Sequence, residues 1–240
     1  MTEQLRIYPM FAVPMFHFSI DNWSENKKKI LNALPPKEKS PVFNKSNAMY
    51  SDYWTQTGPD ATFELPTYGP VILDIIEEYL AEFTKVIFEP DQVDGKGTWL
   101  GFTDMWYQTF TGGQEHDIHN HGYTGWSGVI YVEHDEDIHV PTHFYGQGYR
   151  AHGGYIEHFE PPVKEGDLII FPSTVPHRAF VNASDTQRTI ISFNMKSYQE
   201  KIREEIIFKF GEEAEKYKEE QNKEEEKIFQ PLPKKLILPN

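Results

Sequence analysis

No cysteine occurs in the 240 residues, and that absence excludes disulfides, iron–sulfur clusters, thiolate zinc sites and cysteine nucleophiles. Any metal must be held by nitrogen and oxygen donors. Positive charge is also scarce: 23 Lys and Arg stand against 37 Asp and Glu, for a formal net charge of −14. Duplex nucleic-acid binding is not expected from that balance, because its affinity comes largely from cations that neutralise phosphates. Long apolar runs are lacking too. The opening stretch "MTEQLRIYPMFAVPMFHFSI" is interrupted by prolines and His17 and carries no basic leader region or small-residue cleavage site. Nothing approaches a membrane-spanning length. A soluble, intracellular, cytoplasmic protein is expected, with a metal, small-molecule or protein partner and neither nucleic acid nor membrane.

What is present, 38% hydrophobic residues in a chain of this length, suffices for one substantial core with appendages. Residues 6 to 20 mix apolar residues with prolines and suit an edge strand or extended entry segment. "DNWSENKKKILNAL" offers Asp and Ser as caps and stops at Pro35, predicting a short helix near 22 to 34. Residues 35 to 69 read mainly as loop. "PVILDIIEEYLAEF" is the clearest helix, with apolar positions from Val71 to Phe83 at helical spacing. Its acids Asp74, Glu77, Glu78 and Glu82 form an expected solvated face.

From residue 97 the pattern becomes short β-branched and aromatic runs: "TWLGF", "MWYQTF", "WSGVIYVE", "THFYG", "YIEHF", "DLIIFPS", "HRAFV" and "RTIISFNM". Eight strands with no helices alternating between them imply an antiparallel barrel or jelly roll. Residues 1–200 are therefore expected to form a single domain whose β core lies at about 97–196. Residues 201–240 should add a helix, with Ile202, Ile206, Phe210, Ala214 and Tyr217 on one stripe, and an apolar tail. That tail would dock on the body or on a second subunit, the latter making a homo-oligomer; the sequence leaves both open.

Nine of the ten histidines fall between His116 and His177. In "HDIHNH", His119 and His121 are two apart and share a face at a strand end, which is half a metal site. His177, after the turn and strand of "GDLIIFPSTVPHRAF", supplies a third imidazole from a distant strand. Imidazole is the commonest side-chain metal ligand. Lone histidines such as His17, His134, His139, His143, His152 and His158 are expected to be structural. Eleven residues beyond His177 comes Arg188, and period-two alternation sets Arg188, Ile190, Ser192 and Asn194 on one face. No acid shares that face locally. A buried guanidinium needs an anion, and a ligand carboxylate would supply it.

Taken together and in order, Phe110, Gly113, His119, His121, Ser127 to Val132, Gly166 to Ser173, His177, Arg188 and Ser192 to Asn194 resemble the iron(II)- and 2-oxoglutarate-dependent oxygenases. Within that family the run is most similar to small bacterial and phage members related to prolyl hydroxylases. The resemblance implies a double-stranded β-helix, a cupin-like jelly roll with supporting helices. It implies iron(II) on His119 and His177, 2-oxoglutarate on Arg188, dioxygen, and hydroxylation of a small-molecule or peptide substrate. Tyr107, Tyr131, Ser192 and Asn194 are the candidates for lining the 2-oxoglutarate pocket.

One position departs from the usual two-histidine, one-carboxylate triad: His121 stands where the carboxylate would be. Three arrangements remain open on the sequence, namely a three-histidine site, Asp117 supplying the carboxylate from His119's own face, or a metal centre that does not activate oxygen. Two functional alternatives accompany them, a three-histidine cupin dioxygenase without 2-oxoglutarate and a non-catalytic metal-binding interaction module.

Overall fold

In the computed structural model, which describes residues 13–35, 42–43, 49–53, 65–87, 98–122, 125–149 and 156–199, the β-rich segments pair into two antiparallel sheets. The strands are β1 (Phe16–Ser19), β2 (Val42–Phe43), β3 (Met49–Ser51), β4 (Thr98–Phe110), β5 (His116–His119), β6 (Trp126–Glu133), β7 (Thr142–Tyr149), β8 (Ile156–Phe159), β9 (Asp167–Pro172), β10 (His177–Ala179) and β11 (Arg188–Gln199). Seven form the larger sheet in the order β1-β9-β6-β11-β4-β3-β2, and four form the smaller, β5-β10-β7-β8. This is the expected jelly roll.

Alternation along the strands divides the core in two. Met105, Tyr107, Ile130, Leu168, Ile170, Ile191 and Phe193 point away from the smaller sheet. They are covered by helices α1 (Trp23–Ala33) and α2 (Gly69–Ile87), whose buried stripe is Ile30, Ile72, Ile76, Leu80 and Phe83. The opposite face of the same strands carries Phe110, Val129, Tyr131, Ile169, Phe171 and Ile190, which meet Phe144 and Ala179 of the smaller sheet. Burying each such aliphatic or aromatic side chain is worth roughly 1.5–3 kcal/mol.

Close packing makes Gly128 indispensable: a Cβ there would lie 2.1 Å from the Phe193 ring on the paired strand. Gly128→Ala is expected to destabilise the fold by about 1–3 kcal/mol through overpacking, read as a lowered denaturation midpoint.

Several expectations are met. β1 lies at a sheet edge, α2 begins with Pro70 in its first turn, and Asp74, Glu77, Glu78 and Glu82 are exposed. Others are corrected. "TWLGF" and "MWYQTF" are one strand, because the polar Thr103 is accommodated as a bulge between the pairs Asn194–Asp104 and Met195–Phe102. The segment read as loop before α2 contains β2 and β3. Asn22, in left-handed conformation at φ 50°, occupies the N-cap of α1 without a side-chain cap bond. The predicted helix and tail beyond residue 200 lie outside the described residues. No helix among the described residues is long and apolar enough to cross a membrane.

Candidate metal and cosubstrate site

Strand pairing explains how histidines 58 residues apart meet. β10 pairs with β5 so that His177 is the register partner of His119. His121 follows β5 and is fixed by its own backbone, whose N–H donates to the Ser173 carbonyl at 2.9 Å. His119, His121 and His177 each offer a ring nitrogen, and the three atoms lie within 4.8 Å of one another. Ring centroids are 4.3 Å apart for His119 and His177, and 4.9 Å for His121 and His177.

The tautomers are set by what Nδ1 touches. His119 Nδ1 donates to the Asp117 carbonyl at 2.6 Å and His177 Nδ1 to the Val175 carbonyl at 2.9 Å. His121 Nδ1 faces Asn194 Oδ1 at 2.7 Å and Ser127 Oγ at 2.8 Å. With the proton on Nδ1, Nε2 carries the lone pair in each ring, which is how a neutral histidine ligates.

Burial, reinforced by the neighbouring histidines, also keeps these rings uncharged. It pushes His121 down to about 4 and His177 to about 2. His116, stacked on His119 at 3.9 Å, is pushed down to about 3. The donor set is thus three neutral nitrogens converging on one point, and it fits a divalent transition metal.

Asp117 is not brought to this point. Three residues of β10, His177 to Ala179, span four of β5, His119 to His116, so β5 is bulged. Alternation fails across the bulge, His116 and His119 share a side, and Asp117 is exposed. Asp117→Asn is therefore expected to change metal affinity by less than about twofold, as exposed substitutions away from such features usually do; metal titration followed by absorbance checks it.

At the other end of the inner face, Arg188 is 3% exposed. Its guanidinium donates to the Val140 and Phe180 carbonyls at 2.9 and 3.0 Å and lies 4.5 Å from the Phe110 ring centroid. Among the described residues no carboxylate makes an ion pair with it, and burial pushes its pKa down to about 10. Phe180, whose carbonyl accepts from Arg188, is three residues from His177, roughly 10 Å along the chain. Tyr131 stands on the same inner face, its hydroxyl donating to Thr142 Oγ1 at 3.0 Å. Burial raises its pKa to about 12, so it remains a neutral phenol.

The remaining candidates separate. Ser192 is on the inner face, opposite Val129 and Trp106. Asn194 is on that face too, but its amide is applied to His121. Tyr107 faces the helices, packed at 6.1 Å against Tyr68, while its N–H donates to Asp52 Oδ1 at 3.0 Å. Alternation along "MWYQTF" carried that signal, since Trp106, Gln108 and Phe110 are the inward residues. Trp106 indeed meets His121 edge to face at 5.4 Å, and Gln108 Nε2 reaches His116 Nδ1 at 3.1 Å.

The depressed histidines also predict a pH dependence. A histidine whose folded-state pKa lies below its unfolded value near 6.5 contributes stability that is present above 6.5. That stability is lost as pH falls toward the folded value. For His121 and for His134, pushed down to about 4 by burial and then by His139 and Arg188, the window is pH 6.5 to 4. The melting temperature of the metal-free protein should fall steadily across it; a flat profile contradicts the assignment.

The two jelly-roll sheets thus carry three neutral imidazoles and a buried guanidinium on one inner face, an arrangement suited to a metal and an anion. Residues 104–194 match a family model described as a 2OG-Fe(II) oxygenase. HygX from Streptomyces hygroscopicus, solved with nickel, 2-oxoglutarate and hygromycin B bound, is similar at TM-score 0.50 and 10% identity over 77% of this chain and 83% of that one. The epimerase SnoN from nogalamycin biosynthesis is similar at TM-score 0.46 and 13% identity over 76% and 78%. A Pseudomonas putida prolyl-4-hydroxylase is similar at TM-score 0.41 and 12% identity over 77% and 93%. No curated protein matches the sequence. Over its β core, residues 104–194, the chain is similar to the 2OG-Fe(II) oxygenases, a family of enzymes that use iron(II), 2-oxoglutarate and dioxygen.

Proposed function

We propose that His119, His121 and His177 hold the iron through Nε2, that Arg188 binds the distal carboxylate of 2-oxoglutarate, and that the enzyme hydroxylates a C–H bond of its substrate. The observation that carries this reading is Arg188: a buried guanidinium without a carboxylate partner among the described residues, bonded to the carbonyl of Phe180, three residues from His177. A charge so placed is costly unless an anion joins it. A ligand carboxylate meets the remaining N–H donors of the planar fork.

Iron(II) with 2-oxoglutarate supplies the redox chemistry: one dioxygen is consumed, 2-oxoglutarate becomes succinate and carbon dioxide, and the second oxygen atom enters the substrate as a hydroxyl. The chain's own residues bind and orient. Phe110, Phe144, Ile169 and Ile190 line the inner core around Tyr131 and the Arg188 strand and keep bulk water from the cosubstrate. Neutral Tyr131 offers a hydroxyl beside Arg188 without competing as an anion.

The test is oxygen consumption and succinate formation by the full chain with iron(II) and 2-oxoglutarate, with and without candidate substrates. Iron-dependent succinate formation is expected even without substrate, as slow uncoupled turnover, and it should vanish in Arg188→Ala. Oxygen uptake that ignores 2-oxoglutarate would instead indicate a three-histidine dioxygenase of another kind.

A further inference from the structure

His119 and His177 are oriented locally, each by a backbone carbonyl two residues earlier. His121 is oriented by side chains from three other strands. Asp104 Oδ2 on β4 accepts from Asn194 Nδ2 on β11 at 3.2 Å. That contact turns Asn194 Oδ1 toward His121 Nδ1, 2.7 Å away. Ser127 Oγ on β6 donates to the same Oδ1 at 2.7 Å and stands 2.9 Å from Ser173 Oγ and 2.8 Å from His121 Nδ1.

Proton accounting then has one solution. A carboxylate only accepts, so Asn194 presents its NH₂ to Asp104 and its carbonyl to His121. The hydroxyl proton of Ser127 goes to that carbonyl, which leaves Ser127 Oγ as an acceptor. Both atoms facing His121 Nδ1 are therefore acceptors. The proton must reside on Nδ1 and the lone pair on Nε2.

We infer that Asn194, oriented by Asp104, is a positioning residue that makes His121 an Nε2 ligand and specifies histidine over a carboxylate at the third coordination position. This rests on the reading that the three histidines hold the metal. A carboxylate at position 121 would set an acceptor against the Asn194 carbonyl, which cannot reverse without turning onto Asp104, and could gain a donor only by drawing the Ser127 hydroxyl away from Asn194. The site is built for the histidine it has.

The experiment uses the full chain with ¹⁵N-labelled histidine and cobalt(II) under argon. Long-range ¹H–¹⁵N spectra of the metal-free protein report each tautomer, and cobalt absorbance reports affinity. Asn194→Ala should weaken cobalt binding about tenfold to a hundredfold, the usual cost of losing a partner behind a ligand. It should shift the His121 tautomer while leaving His119 and His177 as in wild type. Asp104→Ala, at a half-buried position, should act in the same direction and less strongly, and serves where Asn194→Ala does not fold. The exchanged pair Asp104→Asn with Asn194→Asp keeps the amide–carboxylate contact and an acceptor facing His121, at the cost of the Thr103 Oγ1 bond to Asp104 Oδ2, and should restore the tautomer and most of the affinity. His121→Asp should lose affinity.

Wild-type tautomer and affinity in both alanine variants would overturn the inference, as would an exchanged pair no better than Asn194→Ala or a tight-binding His121→Asp. Cobalt that perturbs His119 and His177 but not His121 in the wild-type protein would overturn the three-histidine reading itself.

Discussion

His177→Ala is expected to abolish measurable iron binding and with it all 2-oxoglutarate turnover. Losing a partner one shell removed from a metal costs about tenfold to a hundredfold, so losing one of three ligands should cost more than about a hundredfold. His177 is also the residue that ties the two sheets at the site. It is 5% exposed, paired with His119 across β5 and β10, and its ring lies 5.0 Å from that of Phe171. Metal that binds only the folded state adds about 2.7 kcal/mol at a hundredfold excess over Kd. Calorimetry should show a metal-dependent rise in Tm for the wild type and none for the variant. The protein should nonetheless fold, because Phe144, Phe171 and Ala179 remain to fill the inner core.

Arg188→Ala should leave metal affinity unchanged and lower 2-oxoglutarate affinity by about a hundredfold, since charge-assisted hydrogen bonds contribute roughly 1.5–3 kcal/mol each. Isothermal titration of 2-oxoglutarate into nickel-loaded protein checks it. Arg188→Lys should fall between, keeping the charge and losing the planar fork. A loss of metal binding in Arg188→Ala, with 2-oxoglutarate affinity retained, would reverse the assignment of the two ends of the inner face.

The inner face of β11 was legible in the sequence because nothing interrupts its alternation: Arg188, Ile190, Ser192 and Asn194 stand together as their spacing requires. His119 and His177 were legible as a pair because a turn and a strand bring the chain back beside the strand that carries His119. Asp117, which alternation set on His119's face as the alternative to His121, lies exposed because β5 carries a bulge, and one extra residue moves a side chain to the other face. The same physics merged two predicted strands at Thr103. Tyr107 was placed in the cosubstrate pocket although its neighbours Trp106 and Gln108 have the inward parity. The support of His121 by Asp104, Ser127 and Asn194 was beyond local pattern altogether. Those residues come from three strands, and only their register, Asn194 opposite both Asp104 and Ser127, brings them to one imidazole.

The central claim, iron on three histidines with 2-oxoglutarate anchored at Arg188, is tested most directly by anaerobic titration of iron(II) and then 2-oxoglutarate into the full chain, followed by visible absorbance. A metal-to-ligand charge-transfer band that saturates at one 2-oxoglutarate per iron in the wild type, and needs about a hundredfold more 2-oxoglutarate in Arg188→Ala, is the result predicted. Iron demonstrably bound with no band at any 2-oxoglutarate concentration would contradict it.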